Sequence, residues 1–322
     1  AYDGANMSHY GDVVVVSLNH RLNILGFLDL SPFGKKYKNS ANAGLADLVE
    51  ALHWIKDNIA QFGGDPDNIT LFGQSGGGMK ISALMQIPDA QGLFHKGMIM
   101  SGVAGDFMPP CQGGDGTLIV KALLEELNLS LSEILETIPY SMLANAYLKV
   151  APALQKAGAY VGNNPMINDY YLGEPQMTLF TEQAKKTPLM VGTVFGEMSF
   201  APVTYNKLKL SEQEMIDILH SHFKDQTQNI IEAFLKAYPD KKIIDLLNID
   251  TLFRLMSKQL ISAKSKYQQA PTYNYIFTLD FPCQFGKPAW HCSDIPFVFH
   301  NIDKVPVANI EGVSEKLQEQ MF

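Results

Sequence analysis

The chain is short of cysteine, of charge and of long apolar runs, and each shortage excludes something. Cys111, Cys283 and Cys292 are its three cysteines, too few to staple 322 residues into a disulfide framework. Cys283 and Cys292 are close enough in sequence to pair. Free thiols of a reducing compartment are the commoner arrangement, which favours a cytoplasmic over a secreted location and leaves location otherwise open. Charged residues make up 18% of the chain, below the usual quarter, as in a protein with a large interior rather than a disordered one. The formal net charge is -8 and there is no basic stretch, so a nucleic-acid partner is not expected. No apolar run is long enough to cross a bilayer. No metal or cofactor is expected, and the sequence leaves the oligomeric state open.

What is present is apolar and ordered in pattern. Hydrophobic residues account for 46% of the chain, enough for one large core with room for an added lobe. Val13 to Leu18 is a β-branched run without alternation, the pattern of a strand buried on both faces of a parallel sheet. Gly44 to Ala60 places Leu45, Leu48, Leu52, Ile55 and Ile59 on one helical face, and Phe62-Gly63-Gly64-Asp65-Pro66 stops it. Further strands are predicted at Ile69–Phe72, Gly97–Met100, Leu189–Thr193 and Tyr273–Phe277, with a helix over Gly76–Met85. Strands alternating with helices predict an α/β fold with a mostly parallel sheet flanked by helices. A single domain over 1–322 is expected, with a helical cap at about 103–170 and a helical insertion at about 211–266. The first residues lack a signal core, and the last ones stop inside an amphipathic pattern without a cap; both read as the ends of a fragment.

The chemistry centres on Gly73-Gln74-Ser75-Gly76-Gly77, set between a strand and a helix. In that setting G-x-S-x-G is a nucleophile elbow: a strained turn lifts a serine above the carboxyl end of the sheet, and glycines two before and two after avoid a clash. A serine hydroxyl needs a base to take its proton and an acid to orient that base. Both are expected in loops that follow sheet strands, acid before histidine. Glu197 follows the Leu189–Thr193 strand, and His291 follows the Tyr273–Phe277 strand. Position alone does not single them out among the chain's eight histidines.

A run of ordered motifs goes further. Ser17-Leu18-Asn19-His20-Arg21-Leu22, Gly26-Phe27-Leu28, Asn42-Ala43-Gly44-Leu45-Ala46-Asp47 and Trp54-Ile55-Lys56-Asp57-Asn58-Ile59 lead to the serine motif and then to Met100-Ser101-Gly102. Pro188 to Thr193 leads into Glu197-Met198-Ser199-Phe200, and His291 is followed by Asp294, Phe297, Val298 and Phe299. Together these resemble the type-B carboxylesterase/lipase family, which includes the cholinesterases, over nearly the whole chain. The resemblance implies an α/β-hydrolase fold and a serine esterase acting on a small-molecule ester. Ser75 would be the nucleophile, His291 the base and Glu197 the orienting acid, with an oxygen of Glu197 within hydrogen-bond reach of a His291 ring nitrogen. It further implies that the Gly76 N–H serves the oxyanion, that Ser101 and Asp294 stand behind the triad, and that Arg21 and Asp47 form a buried ion pair.

The chain departs from the family in three places. Gln74 stands where Glu is common, Gly76 where Ala is common, and the upstream His-Gly-Gly segment that supplies further oxyanion donors is absent. A fragment without those donors is expected to be inactive by itself. The competing readings are a non-catalytic cholinesterase-like binding module, and a peptidase or thioesterase on the same fold.

Overall fold

The computed structural model of the protein describes residues 2–103, 114–130, 135–199 and 205–322. Four strands form one parallel sheet in the order β1 (Thr70–Gln74), β2 (Lys96–Met100), β3 (Leu189–Val194) and β4 (Thr272–Phe277). The order follows the chain, so every connection is a crossover, and crossovers carry helices over the faces of the sheet. The fold is that of an α/β-hydrolase: a parallel sheet, helices on it, and loops gathered at the carboxyl ends of the strands.

Helix α1 (Ala43–Asn58) buries Leu45, Leu48, Val49, Leu52 and Ile55, the stripe its spacing calls for. It runs on into a short 3-10 turn, Ile59–Phe62, and ends at Gly63, whose φ of +85° is left-handed and suits glycine. Helix α2 (Gly76–Leu84) lies between β1 and β2. Its buried Ile81 and Leu84 join Ile99, Leu189 and Val191 from the sheet in the largest core cluster. Each such side chain, fully buried, contributes about 1.5–3 kcal/mol.

Between β2 and β3, α3 (Thr117–Glu126) and α4 (Tyr140–Lys156) pack Ile119, Val120, Leu123, Leu143 and Ala146 against Ile24, Leu28 and Leu30. Between β3 and β4 come α5 (Glu212–Phe223), α6 (Thr227–Ala237) and α7 (Phe253–Ser265). Ser211 caps α5 in a capping box with Glu214. The packing faces of α5 and α6 meet Val194, Phe195 and Phe277 in a second cluster. This cluster lies under the loops that leave β3 and β4.

One strand expected from sequence is not formed. Val13–Leu18 carries no strand pairing, and Val13, Val14, Val16 and Leu18 are exposed. A β-branched run becomes a strand only when a neighbour takes up its backbone N–H and C=O groups, and no described strand pairs with this one.

Candidate active site

Ser75 sits between the last residue of β1 and the first residue of α2. Its φ of 54° and ψ of -120° lie outside the regions open to ordinary L-residues, a strain worth about 1–3 kcal/mol. Neighbouring backbone holds it there. Ser75 N–H donates to Met100 O at 2.8 Å, and Met79 N–H donates to Ser75 O at 3.0 Å, closing the first turn of α2. The glycines explain how the turn closes. A Cβ on Gly73 would lie 2.6 Å from the carbonyl carbon of Gly77, and one on Gly102 would lie 2.5 Å from Ser75 O. At Gly77 a Cβ would meet nothing within 4 Å. The clash expected on both sides of the serine is thus one-sided: Gly73 must be small because the Gly77 backbone lies against it. Gly76 begins α2, in the turn whose N–H groups have no intrahelical carbonyl to bond, beside the Ser75 hydroxyl.

The acid and histidine loops are laced together. Phe195 N–H donates to Phe277 O and Gly196 N–H to Ala289 O, each at 2.8 Å, and His291 N–H donates to Glu197 O at 3.2 Å. This lacing carries the parallel alignment of the sheet past the strand ends, with a bridge between Gly196 and Trp290. Glu197 is fully buried. Its Oε2 lies 2.6 Å from His291 Nδ1, and its Oε1 accepts from Ser101 Oγ at 2.6 Å and from Val194 N–H at 2.8 Å.

The other ring nitrogen meets Gln74. His291 Nε2 lies 3.0 Å from Gln74 Nε2. With the proton on Nδ1 facing Glu197, Nε2 presents its lone pair, and the Gln74 amide donates to it. Phe253 stacks on the imidazole face, with ring centroids 5.2 Å apart and planes 16° from parallel.

Asp294 is buried behind this group and accepts from Tyr275 Oη at 2.8 Å. Burial pushes the Asp294 carboxyl up to about 6, and the charge of Glu197 adds to that. Burial, with Asp294 and Glu197 nearby, pushes the Cys292 thiol up to about 11. Tyr275 reaches Asp294 because its ring lies over Gly192, where a Cβ would fall 1.8 Å from the ring.

A sequence profile described as the Carboxylesterase family matches residues 1–321. The chain belongs to the carboxylesterase family. It is 32% identical over 306 residues to the para-nitrobenzyl esterase of Bacillus subtilis (strain 168), covering 94% of this chain and 60% of that protein. It is 30% identical over 299 residues to the phenmedipham hydrolase of Pseudarthrobacter oxydans, covering 91% of this chain and 58% of that protein. Among solved structures, an esterase from Clostridium hathewayi superposes with a TM-score of 0.97 at 54% identity, over 100% of this chain and 64% of that one. The chain thus spans about three fifths of the length of the relatives it matches.

Within this carboxylesterase fold, one expectation changes. Arg21 and Asp47 do pair, with Arg21 Nη2 2.6 Å from Asp47 Oδ1 and Arg21 N–H 2.8 Å from Oδ2. The Arg21 side chain is 54% exposed, however, so the pair is not buried. It belongs to the same unpaired stretch as Val13–Leu18 and lies at the surface with it. Hydrogen bonding to Arg21 holds the Asp47 carboxyl below its ordinary range. His300 is buried away from Glu197, with Nε2 3.0 Å from Glu319 Oε1.

Cys283 and Cys292 are free thiols, and Cys111 and Phe200 lie outside the described residues. Among the described residues no cluster of His, Cys, Asp and Glu could hold a metal, and no helix is long and apolar enough to cross a membrane. Sequence reading overlooked Phe253 and Tyr275. Both come from segments without a motif, and only the folded chain brings them to the imidazole and to Asp294.

Proposed function

We propose that this chain carries the triad of a serine esterase, with Ser75 attacking the carbonyl of a carboxylic ester. The observation that carries the reading is the 2.6 Å contact between Glu197 Oε2 and His291 Nδ1, formed beside a serine held at positive φ. Glu197 fixes the tautomer with the proton on Nδ1, so Nε2 is a base. When the ring takes up its hydrogen bond with Ser75 in place of Gln74, Nε2 accepts the hydroxyl proton as Oγ bonds to the ester carbon. Glu197 then stabilises the imidazolium. The Gly76 N–H, at the positive end of α2, faces the developing oxyanion. Collapse of that intermediate expels the alcohol, which takes the proton back from Nε2 and leaves an acyl-serine. Water, deprotonated by the same nitrogen, releases the acid.

The carboxylesterase relatives and the buried, fully hydrogen-bonded acid support catalysis over the binding-module reading. The esterase from Clostridium hathewayi can hydrolyse aliphatic aromatic polyesters, so an ester of an aromatic diacid is the first substrate to try. The test is hydrolysis of that ester and of a short-chain ester by the protein expressed from its natural reading frame. Wild type should turn both over and Ser75→Ala should do so at least 10³-fold more slowly. Activity within a few-fold of wild type in Ser75→Ala would remove Ser75 from the mechanism.

A further inference from the structure

The start of α7 is tied to the acid loop by polar contacts that core packing does not require. Asp250 N–H donates to Phe195 O at 2.9 Å. The Asp250 carboxylate accepts from Leu252 N–H at 2.9 Å, Phe253 N–H at 3.2 Å and Arg254 N–H at 2.6 Å. Those are donors that a helix leaves free at its N-terminus, so the Asp250 carboxylate, two residues before the N-cap Leu252, holds the start of α7 in place. Arg254 closes the clamp from the next residue along. Its Nη2 donates to Val194 O at 3.3 Å and Phe195 O at 3.1 Å, and its Nη1 donates to Tyr238 Oη at 2.8 Å.

Between the two clamp residues stands Phe253, which is buried and lies nearly parallel to the His291 ring. One edge of that imidazole is held by Glu197 and one face by Phe253, and both holders hang from the Val194–Glu197 segment.

We infer that Phe253 is a positioning residue for His291: its ring fixes the tilt of the imidazole plane, so that Nε2 swings from Gln74 to the Ser75 hydroxyl without leaving the plane that Glu197 defines. This deepens the triad reading and rests on it. The contacts at Nδ1 and Nε2 hold the edge of the ring, and a flat partner at stacking distance holds its face. An aromatic face also interacts favourably with the imidazolium that forms when Nε2 takes the proton.

Three variants of the protein in its natural reading frame test this: Phe253→Leu, which keeps apolar bulk, Phe253→Tyr, which keeps the face, and Ser75→Ala. Phe253→Leu should lower kcat about fivefold with KM within twofold, the scale of an aromatic stacking contact. Phe253→Tyr should restore kcat to within twofold of wild type. In side-chain NMR, the His291 ring protons should lie upfield in wild type and Phe253→Tyr, and move downfield in Phe253→Leu. A Phe253→Leu protein with unchanged kcat and unchanged His291 ring shifts would overturn the proposal. So would equal losses in the Leu and Tyr variants. If the ring shifts respond as expected while Ser75→Ala keeps full activity, the stacking stands and the triad reading fails.

Discussion

The two ends of the site are built to different degrees. At the acid end, Glu197 is buried, and its oxygens are taken by Ser101, Val194 and His291 at 2.6–2.8 Å. At the nucleophile end, Ser75 is strained into place, while His291 Nε2 meets the amide of Gln74. The packing follows the same division. Phe195, Phe277 and Phe297 sit in a fully covered cluster beneath the acid and histidine loops, whereas Val13 to Leu18 lies exposed and unpaired. The difference teaches that the orientation of His291, the proposed base, is a property of the folded core. Presentation of Ser75, the proposed nucleophile, rests instead on one tight turn and, in the proposed mechanism, on a hydrogen bond that changes partners.

The largest effects should separate His291 from His300. His291→Ala should lower kcat by about as much as loss of the nucleophile, whereas His300→Ala, which breaks contacts to Glu319 and Gln318, should leave kcat within a few-fold of wild type. Glu197→Gln keeps the shape but favours the wrong tautomer of His291, so kcat should fall by up to ~10⁴. Steady-state hydrolysis of a short-chain ester measures all three. A reversed pattern for the two histidines would move the base to His300.

A smaller and sharper contrast lies within the elbow. Gly73→Ala drives a methyl into the Gly77 backbone, at 2.6 Å from its carbonyl carbon, while Gly77→Ala enters open space. Gly73→Ala should destabilise the fold by roughly 1–3 kcal/mol, and Gly77→Ala by less than about 1 kcal/mol. Urea unfolding with a common m-value reads both. Equal losses would mean that the turn does not depend on Gly73.

A last contrast turns to the other buried glutamate among the described residues, Glu174, whose Oε1 accepts from Tyr171 Oη at 2.9 Å. Burial raises its carboxyl to about 7. The folded state therefore binds the Glu174 proton more tightly than the unfolded state does. That stabilisation is fully present below about pH 4.5 and lost as pH rises through about 7, and its size is on the order of 3 kcal/mol. Glu174→Gln should flatten this part of the stability profile and gain on wild type at pH 8. Parallel profiles for the two proteins would show that Glu174 does not titrate in this window.

Strands, helices and the elbow were legible because each follows a local rule. β-branched runs, 3.6-residue stripes and a glycine two residues before the serine act over a few positions. The pairing of Glu197 with His291 was expected from the resemblance to the type-B carboxylesterase/lipase family, since position alone singled out neither; in the fold both follow strands that are adjacent in the sheet. Three features were not. Val13–Leu18 has the composition of a strand, but pairing needs a neighbour that composition does not report. Arg21–Asp47 was expected to be buried, and the exposure of that same stretch keeps it at the surface. Phe253 is brought to His291 by the Asp250–Arg254 clamp, whose contact to Phe195 O joins residues 59 apart in sequence, with no spacing to betray it.

The most direct measurement of the central claim is covalent labelling of the naturally expressed protein with a fluorophosphonate, followed by peptide mass spectrometry. A triad of Ser75, His291 and Glu197 predicts a single adduct on Ser75, absent in Ser75→Ala and formed at least 10³-fold more slowly in His291→Ala. An adduct on another residue, or labelling of Ser75 that proceeds at the wild-type rate without His291, would contradict it.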